Sequence, residues 1–138
     1  FGIDALLQDP AILAWVKKID QTTKWTASVC AGSLVLAAAG LLNGKNCTTH
    51  WGRKKQLQSY PVQLKNQRYV QDGKYITSAG VSAGLDMALY LASLMANATT
   101  AQVIQLAMEY DPQPPFAGGS PEKAPPEIMQ KFIQAAKH

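Results

Sequence analysis

The chain has 138 residues and a formal net charge of +4, from 13 Lys and Arg against 9 Asp and Glu. Its 47% apolar and 16% charged residues are typical of a globular domain and argue against a disordered chain. The longest apolar run, 34–42, is shorter than the roughly 20 residues that cross a membrane. The one cluster of positive charge, 53–55, is too short to indicate nucleic-acid binding. We therefore predict neither a membrane nor a nucleic acid as partner.

The first half of the chain predicts short strands alternating with helices. Asp9-Pro10 is typical of an N-cap followed by the first helical position, so a helix is expected over 10–19. The next expected elements are a buried strand over 24–29, a helix over 31–42, a strand over 46–49 and a short polar helix over 51–58. A strand as apolar as 24–29 is expected to have neighbours on both sides.

The second half contains the clearest local pattern. Two β-prone runs, 68–71 and 74–77, flank Asp72-Gly73, a dipeptide that favours a tight hairpin turn. The remaining predictions are a helix over 83–96 capped by Ser82 with Asp86 in its first turn, a helix from about 99 to 110 with a Thr99/Gln102 capping box, a Pro-rich strap over 111–126 and a last helix over 127–137. Alternating strands and helices predict an α/β fold with a largely parallel sheet and helices on both faces.

The segment 25–33 resembles a nucleophile elbow in which cysteine replaces serine. A β-prone run ends at Cys30, a helix follows, and Ser28 and Gly32 are small enough to let the flanking backbone pass close by. The backbone N–H of Ala31 could hold a developing negative charge. The alternative is a buried structural cysteine, because free cysteines are often buried.

The other candidate residues have weaker sequence support. Cys47 lies in a presumed strand and is expected in the core, whereas His50 ends that strand and could be a base or charge partner for Cys30, or a half-buried histidine bonded to backbone. His138, at the terminus, is expected to fray. No metal site and no cofactor are predicted, since two cysteines and two histidines form no ligand cluster. The low cysteine count favours a reducing, cytoplasmic setting.

Gly80, Val81 and Ser82 follow the second hairpin strand and open a helix. Glycine there allows close approach of a ligand, so these three residues are candidate pocket residues. Helix capping by Ser82 is the competing explanation of the same residues.

The sequence resembles the ThiJ/PfpI superfamily, which has a class I glutamine amidotransferase-like fold. The resemblance rests on the Cys30 elbow, the Thr-Thr-His-Trp motif that ends at Trp51, and the stretches 28–45, 80–89 and 105–125. It is closest to the isocyanide hydratase branch and implies that Cys30 is the nucleophile, that Ala31 supplies a backbone N–H and that His50 borders the elbow. The hydratases have Thr directly after the cysteine, where this chain has Ala31.

The resemblance also implies an architecture larger than this chain. It predicts a flavodoxin-like sandwich of which residues 1–138 form the C-terminal portion, with the N-terminal strands absent. The acidic partner of Cys30 would then lie upstream of Phe1, and neither Asp4 nor Glu109 takes that role. A missing segment or companion chain would complete the sheet, and a homodimer is expected.

The function implied is a cysteine-dependent hydratase that adds a thiolate to an isocyanide, a small-molecule substrate, and releases an N-substituted formamide. Two alternatives stay open. One is glyoxalase or protein-repair chemistry, and the other is a non-enzymatic redox or small-molecule sensor that uses Cys30 as an oxidisable thiolate.

Overall fold

The structure is a computed structural model that describes residues 2–135. It is an α/β fold. Its α-helices are α1 (Ile3–Leu6), α2 (Pro10–Asp20), α3 (Gly32–Ala38), α4 (Lys54–Leu57), α5 (Val81–Met95), α6 (Ala98–Ala107) and α7 (Pro126–Ala135). Its strands are β1 (Thr26–Ser28), β2 (Asn46–Cys47), β3 (Gln63–Leu64), β4 (Tyr69–Asp72) and β5 (Tyr75–Ser78), and a 3₁₀ turn covers Trp51–Arg53. The predicted fraying of His138 and the last two residues of the helix predicted over 127–137 lie outside the described residues.

The strands form two small sheets. In the first, β5 lies between β1, which is parallel to it, and β4, which is antiparallel; in the second, β2 and β3 pair in parallel. Asp72 joins the two sheets, because its carboxylate accepts hydrogen bonds from the backbone N–H and side-chain amide of Asn46 at 2.8 and 3.0 Å. Within residues 2–135 the pairing is therefore mixed, whereas a largely parallel sheet was expected.

Strand β1 is shorter and less buried than its sequence suggested. It comprises three residues instead of six, Ala27 is exposed, and β5 is its one neighbouring strand in the described part of the chain. Within residues 2–135 one of the two expected neighbouring strands is therefore present, and the second stays a prediction. The edge position of β1 leaves its side opposite β5 without a strand within these residues.

The hairpin prediction is confirmed. Strands β4 and β5 pair antiparallel with Asp72 opposite Tyr75, so the loop residues are Gly73 and Lys74. Gly73 has a φ of +61°, a left-handed conformation that glycine adopts without steric cost. The turn is therefore one residue later than the Asp-Gly dipeptide indicated.

Side-chain caps set the starts of α2 and α6, and the sequence predicted the first of these correctly. The side chain of Asp9 accepts hydrogen bonds from the N–H groups of Ala11 and Ile12 at 2.9 and 3.2 Å, as the Asp-Pro signal predicts for α2. Helix α6 instead begins after Asn97, whose side chain accepts from the N–H of Thr100 at 2.8 Å. The Thr99/Gln102 capping box is therefore wrong, because Asn97 already provides the cap.

Helices α3 and α5 are among those that depart from their predicted bounds, as is α6, which ends at Ala107 rather than near residue 110. Helix α3 ends at Ala38 rather than at residue 42, and Gly40 follows with a φ of +76°, which a helix cannot continue through. Helix α5 starts at Val81 after Gly80, which makes no side-chain cap, so Ser82 is not its N-cap and Asp86 lies beyond its first turn.

The hydrophobic core lies between α3, α4 and the second sheet. Its buried members are Leu34, Leu36, Ala37, Leu42, Cys47 and Leu57. The core position predicted for Cys47 is confirmed, since that residue is fully buried. The Pro-rich strap carries neither helix nor strand up to α7, as expected, and Tyr110 at its start donates a hydrogen bond to Asp86 of α5 at 2.7 Å.

Candidate active site

Cys30 occupies a strained turn between β1 and α3. Its φ is +58°, in the left-handed region that costs a non-glycine residue about 1–2 kcal/mol. Such strain persists only where surrounding interactions impose it, and it is concentrated at functional sites. Cys30 is also a free, half-buried thiol.

Hydrogen bonds hold the peptide groups on both sides of this turn. The N–H of Cys30 donates to the carbonyl of Ser78, the last residue of β5, at 3.2 Å. The carbonyl of Cys30 accepts from the hydroxyl of Thr49 at 3.0 Å and from that of Ser33 at 3.4 Å. The nucleophile candidate is therefore fixed by residues from β5, α3 and the segment after β2.

Close packing requires a glycine at one position beside the turn. A Cβ on Gly32 would lie 3.4 Å from the Cβ of Ser28, at the limit of an ordinary contact. A Cβ on Gly84 of α5 would lie only 2.9 Å from a methyl group of Val29, the residue before the cysteine. Helix α5 thus packs directly against the elbow through Gly84.

Cys30 opens onto a cavity of about 590 Å³. The cavity is lined by Ile3, Cys30, Ala31, His50, Gly52, Arg53 and Phe132. Phe132 of α7 packs on Trp51 with ring centroids 5.0 Å apart, so the C-terminal helix contributes one wall. Ala31 also lines the cavity, and its N–H donates no hydrogen bond within residues 2–135.

His50 faces the same cavity. Its Nδ1 accepts a hydrogen bond from the N–H of Gly52 at 3.2 Å, which leaves Nε2 as the protonated nitrogen of the neutral ring. Burial, with a smaller contribution from the positive charge of Arg53, lowers the pKa of His50 below its ordinary value. A neutral His50 can donate a hydrogen bond through Nε2.

The three candidate pocket residues at the start of α5, Gly80, Val81 and Ser82, do not all line the same cavity. Gly80 and Ser82 line a second cavity of about 500 Å³, which also has His50 in its wall, and Arg68 donates to the Ser82 hydroxyl at 3.4 Å. Val81 does not line it and is 77% exposed. The cavity at Cys30 therefore contains none of the three.

Acidic groups are missing from the wall of the Cys30 cavity, as far as the described residues show. Asp4 pairs with Arg53 at 3.1 Å and also accepts from Gln56, while Glu109 follows α6 and lines a different cavity. Neither carboxylate is therefore placed as a partner of Cys30. No group of three or more His, Cys, Asp or Glu within residues 2–135 is arranged to hold a metal ion.

Sequence reasoning missed the residues that reach the site from a distance. Thr49 and Phe132 contribute a hydrogen bond and a wall, but neither has a spacing relation to Cys30 that a sequence pattern could reveal. The available signal was the place of Thr49 in the Thr-Thr-His-Trp motif, directly before His50. The longest described helix, α5, has 15 residues, and none of the helices within residues 2–135 meets the length and hydropathy that a membrane span needs.

Comparison with known proteins gives consistent matches. The sequence matches the DJ-1/PfpI family over residues 2–94. The isonitrile hydratase of Pseudomonas putida is 41% identical over 135 residues, which cover 98% of this chain and 59% of that protein. The HTH-type transcriptional regulator CdhR of Pseudomonas aeruginosa is 39% identical over 84 residues, covering 59% of this chain and 25% of the regulator.

Structural comparison gives the same result. The crystal structure of a ThiJ/PfpI family protein from Pseudomonas syringae superposes with a TM-score of 0.93 at 38% identity, covering 99% of this chain and 56% of that one. The chain thus spans little more than half the length of this protein and of the isonitrile hydratase.

Proposed function

Because the chain belongs to the DJ-1/PfpI family, we propose that it is part of a cysteine-dependent hydratase of the isocyanide hydratase type, with Cys30 as nucleophile. The observation that carries the proposal is the left-handed turn at Cys30, which presents a free thiol to a cavity of about 590 Å³. The identity of 41% with an isonitrile hydratase supports an isocyanide as the substrate class.

The reaction proceeds by covalent catalysis at Cys30. The thiolate attacks the terminal carbon of the isocyanide and forms a C–S bond, while a proton is delivered to the same carbon, giving a thioimidate. Water then adds to that carbon, the C–S bond breaks, and the N-substituted formamide leaves with the thiol restored. None of these reaction steps uses a cofactor.

Two groups at the cavity assist the reaction. The free N–H of Ala31 donates to negative charge that develops on the reacting atoms, a role that a backbone donor fulfils without a side-chain hydroxyl. His50 donates through Nε2 and remains neutral, which is supported by its bond from Gly52 and its lowered pKa. We therefore assign His50 as a hydrogen-bond donor rather than as the base for Cys30.

The proton donor of the reaction lies outside the described residues. We propose that a carboxylate reaches Cys30 from a segment that this chain does not span, or from a companion chain. The coverage of 59% of the isonitrile hydratase leaves room for such a segment. That segment would also supply strands beside β1 and complete a flavodoxin-like sandwich, of which residues 1–138 are the C-terminal portion.

The proposed assembly is a homodimer in the cytoplasm that acts on a small molecule. Exposed apolar side chains, among them Trp15, Leu106 and Phe116, provide surface that a second copy could cover. The two cysteines are unpaired, which is the state that a reducing compartment maintains.

Formamide production tests the proposal. The full-length protein is incubated with an aryl isocyanide, and the formyl proton of the product is followed by NMR. We expect Cys30→Ser to lower the rate by about a thousandfold or more, as loss of a covalent nucleophile does. The matched variant Cys47→Ala, at a buried thiol away from the cavity, should retain the rate. Full activity of Cys30→Ser would exclude the mechanism.

A sensor function is the second candidate, favoured by the match to the regulator CdhR. Cys30 would then be oxidised to a sulfenic acid rather than add to a substrate. Mass spectrometry after mild peroxide separates the two: selective oxidation at Cys30 together with no formamide formation supports the sensor.

Glyoxalase or protein-repair chemistry is the remaining alternative. It is supported by Ala31, because the resemblance to isocyanide hydratases implies Thr at that position. Conversion of a small α-oxoaldehyde by the wild type and not by Cys30→Ser, in the absence of isocyanide hydration, would favour it.

A further inference from the structure

The carbonyl of Cys30 receives a hydrogen bond from a residue distant in sequence. The hydroxyl of Thr49, 19 positions further along the chain, donates to this carbonyl at 3.0 Å. Thr49 has no exposed surface, so its hydroxyl cannot exchange this bond for one to bulk water. The bond therefore forms part of the fixed interior on which the elbow rests.

This hydrogen bond acts on the peptide that sets the orientation of the thiol. With a φ of +58°, Cys30 is in a conformation that relaxes unless its flanking peptides are held. Its N–H is held by the carbonyl of Ser78, but that bond constrains the N-terminal side alone. On the C-terminal side, Thr49 is the nearer donor and Ser33, at 3.4 Å, is the more distant one.

We propose that Thr49 is a positioning residue for Cys30: its hydroxyl fixes the carbonyl of the left-handed residue and so directs Sγ into the cavity. Resting on the proposed function, this assignment concerns how the nucleophile is oriented and not which substrate it attacks. Without the hydroxyl, the Cys30 peptide can rotate towards an ordinary conformation and carry the thiol away from the cavity.

The neighbouring Thr48 provides a matched control. It is equally buried, at 1% exposure against 0%, and its hydroxyl also donates to a backbone carbonyl. That acceptor is Gln67, at 3.1 Å, and not Cys30. Replacing either threonine with valine removes one hydroxyl of similar burial and bonding, so differences between the variants report on the Cys30 carbonyl.

The experiment compares Thr49→Val, Thr49→Ser and Thr48→Val in the full-length protein. Alkylation of Cys30 by iodoacetamide is followed by mass spectrometry across pH, and kcat and KM for an aryl isocyanide are measured separately. For Thr49→Val we expect about a tenfold loss in alkylation rate and in kcat with little change in KM, because small displacements of a reacting group are costly. Thr49→Ser should restore both, and Thr48→Val should leave both within about twofold of wild type.

Each outcome decides the proposal. Equal losses in both valine variants, or wild-type behaviour of Thr49→Val, would overturn it, and so would failure of Thr49→Ser to restore reactivity. If Thr49→Val does not fold, Thr49→Ala is interpreted by the same criteria. Alkylation needs no isocyanide, so a selective loss in Thr49→Val without formamide formation by the wild type refutes the hydratase while supporting the positioning role.

Discussion

The immediate contacts of His50 set its tautomer and its pKa. The bond from Gly52 occupies Nδ1, and burial opposes a charge on the ring. Sequence spacing alone left open whether this histidine is a base, a charge partner or a structural residue. The two observations favour a neutral ring that donates through Nε2, the role proposed for His50.

We expect His50 to titrate below pH 6.5 in NMR experiments, with the neutral ring protonated on Nε2. Arg53→Gln should raise its pKa only partly towards the ordinary value, because burial is the larger cause of the shift and remains. Lys55→Gln, on the exposed surface nearby, is the control and should change little.

The lowered pKa of His50 also determines how this residue changes the stability of the fold with pH. Since folding lowers the pKa of His50, the unfolded chain binds more protons as the pH falls below 6.5, and this residue then reduces stability. A titration midpoint at or above 6.5 in the wild type would contradict the assignment of His50 as a neutral donor.

Residue-scale features were predictable where small size or local sequence imposes them. Spacing alone indicated a turn at Cys30 with small neighbours at Ser28 and Gly32, and the structure has a left-handed turn at Cys30. The role of Thr49 was not predicted, since its bond to Cys30 joins residues 19 apart. The sequence also could not show that Gly80 and Ser82 line the second cavity while Val81 does not. That difference depends on how the start of α5 faces the cavity.

At the scale of elements, Asp20 ties helix α2 to the first sheet. Its carboxylate accepts from the hydroxyls of Thr26 at 2.6 Å and Tyr75 at 2.9 Å, and pairs with Lys74 at 3.1 Å. Burial acts to raise the pKa of Asp20, but these hydrogen bonds outweigh it and the pKa lies below its ordinary value. Burial and the bond to Asp20 raise the pKa of Tyr75 to about 12.

We predict that Asp20→Asn lowers the free energy of unfolding by about 2 kcal/mol at pH 7, because it removes a buried, charge-assisted network. Asp4→Asn makes the same change in an exposed ion pair that solvent screens, so it should lower the free energy of unfolding much less. Urea unfolding measures both.

The pH dependence gives this prediction a second check. With a lowered pKa in the fold, Asp20 contributes stability that is present above about pH 4 and is lost as the pH falls through the folded value. The difference between wild type and Asp20→Asn should therefore shrink in acid. A difference that is absent at pH 7, or that grows in acid, would refute the role given to Asp20.

Helix α5 and the elbow are coupled through a single close contact. In Gly84→Ala the new methyl group would lie 2.9 Å from Val29, so the packing must shift. Overpacking costs about 1–3 kcal/mol, against about 1 kcal/mol gained in helix propensity. We expect net destabilisation in urea unfolding and slower alkylation of Cys30, whose preceding residue is displaced.

The double variant tests whether this contact is the cause. Adding Val29→Ala to Gly84→Ala removes the methyl groups that collide and should recover both stability and alkylation rate. Should Gly84→Ala prove more stable than the wild type, the close approach of α5 to the elbow would be wrong.

The elements themselves were predicted best where adjacent residues determine them. The Asp9 cap and the β4–β5 hairpin came from local sequence, whereas β3 was missed because two residues, Gln63 and Leu64, carry no recognisable pattern. The end of α3 depends on the backbone conformation at Gly40, and the start of α6 on competition between Asn97 and Thr99 for the cap.

At the scale of the whole molecule, the described residues place the elbow at the edge of a sheet. Strand β1 has β5 on one side and no described strand on the other, and Val29 at its end is 41% exposed. The α/β class followed from the alternation of elements in the sequence. The strand order and the mixture of parallel and antiparallel pairing could not be predicted from the sequence, because they depend on contacts between segments that are distant along the chain.

The most direct test of the account is the mass of the full-length protein during turnover of an aryl isocyanide, measured after rapid acid quenching. Addition of the Cys30 thiol to the isocyanide carbon predicts a transient species heavier than the protein by the mass of one isocyanide. Peptide mapping should locate the added mass at Cys30 and not at Cys47, and it should disappear as formamide accumulates. An added mass located at any residue other than Cys30, or one that persists while formamide accumulates, would contradict the account.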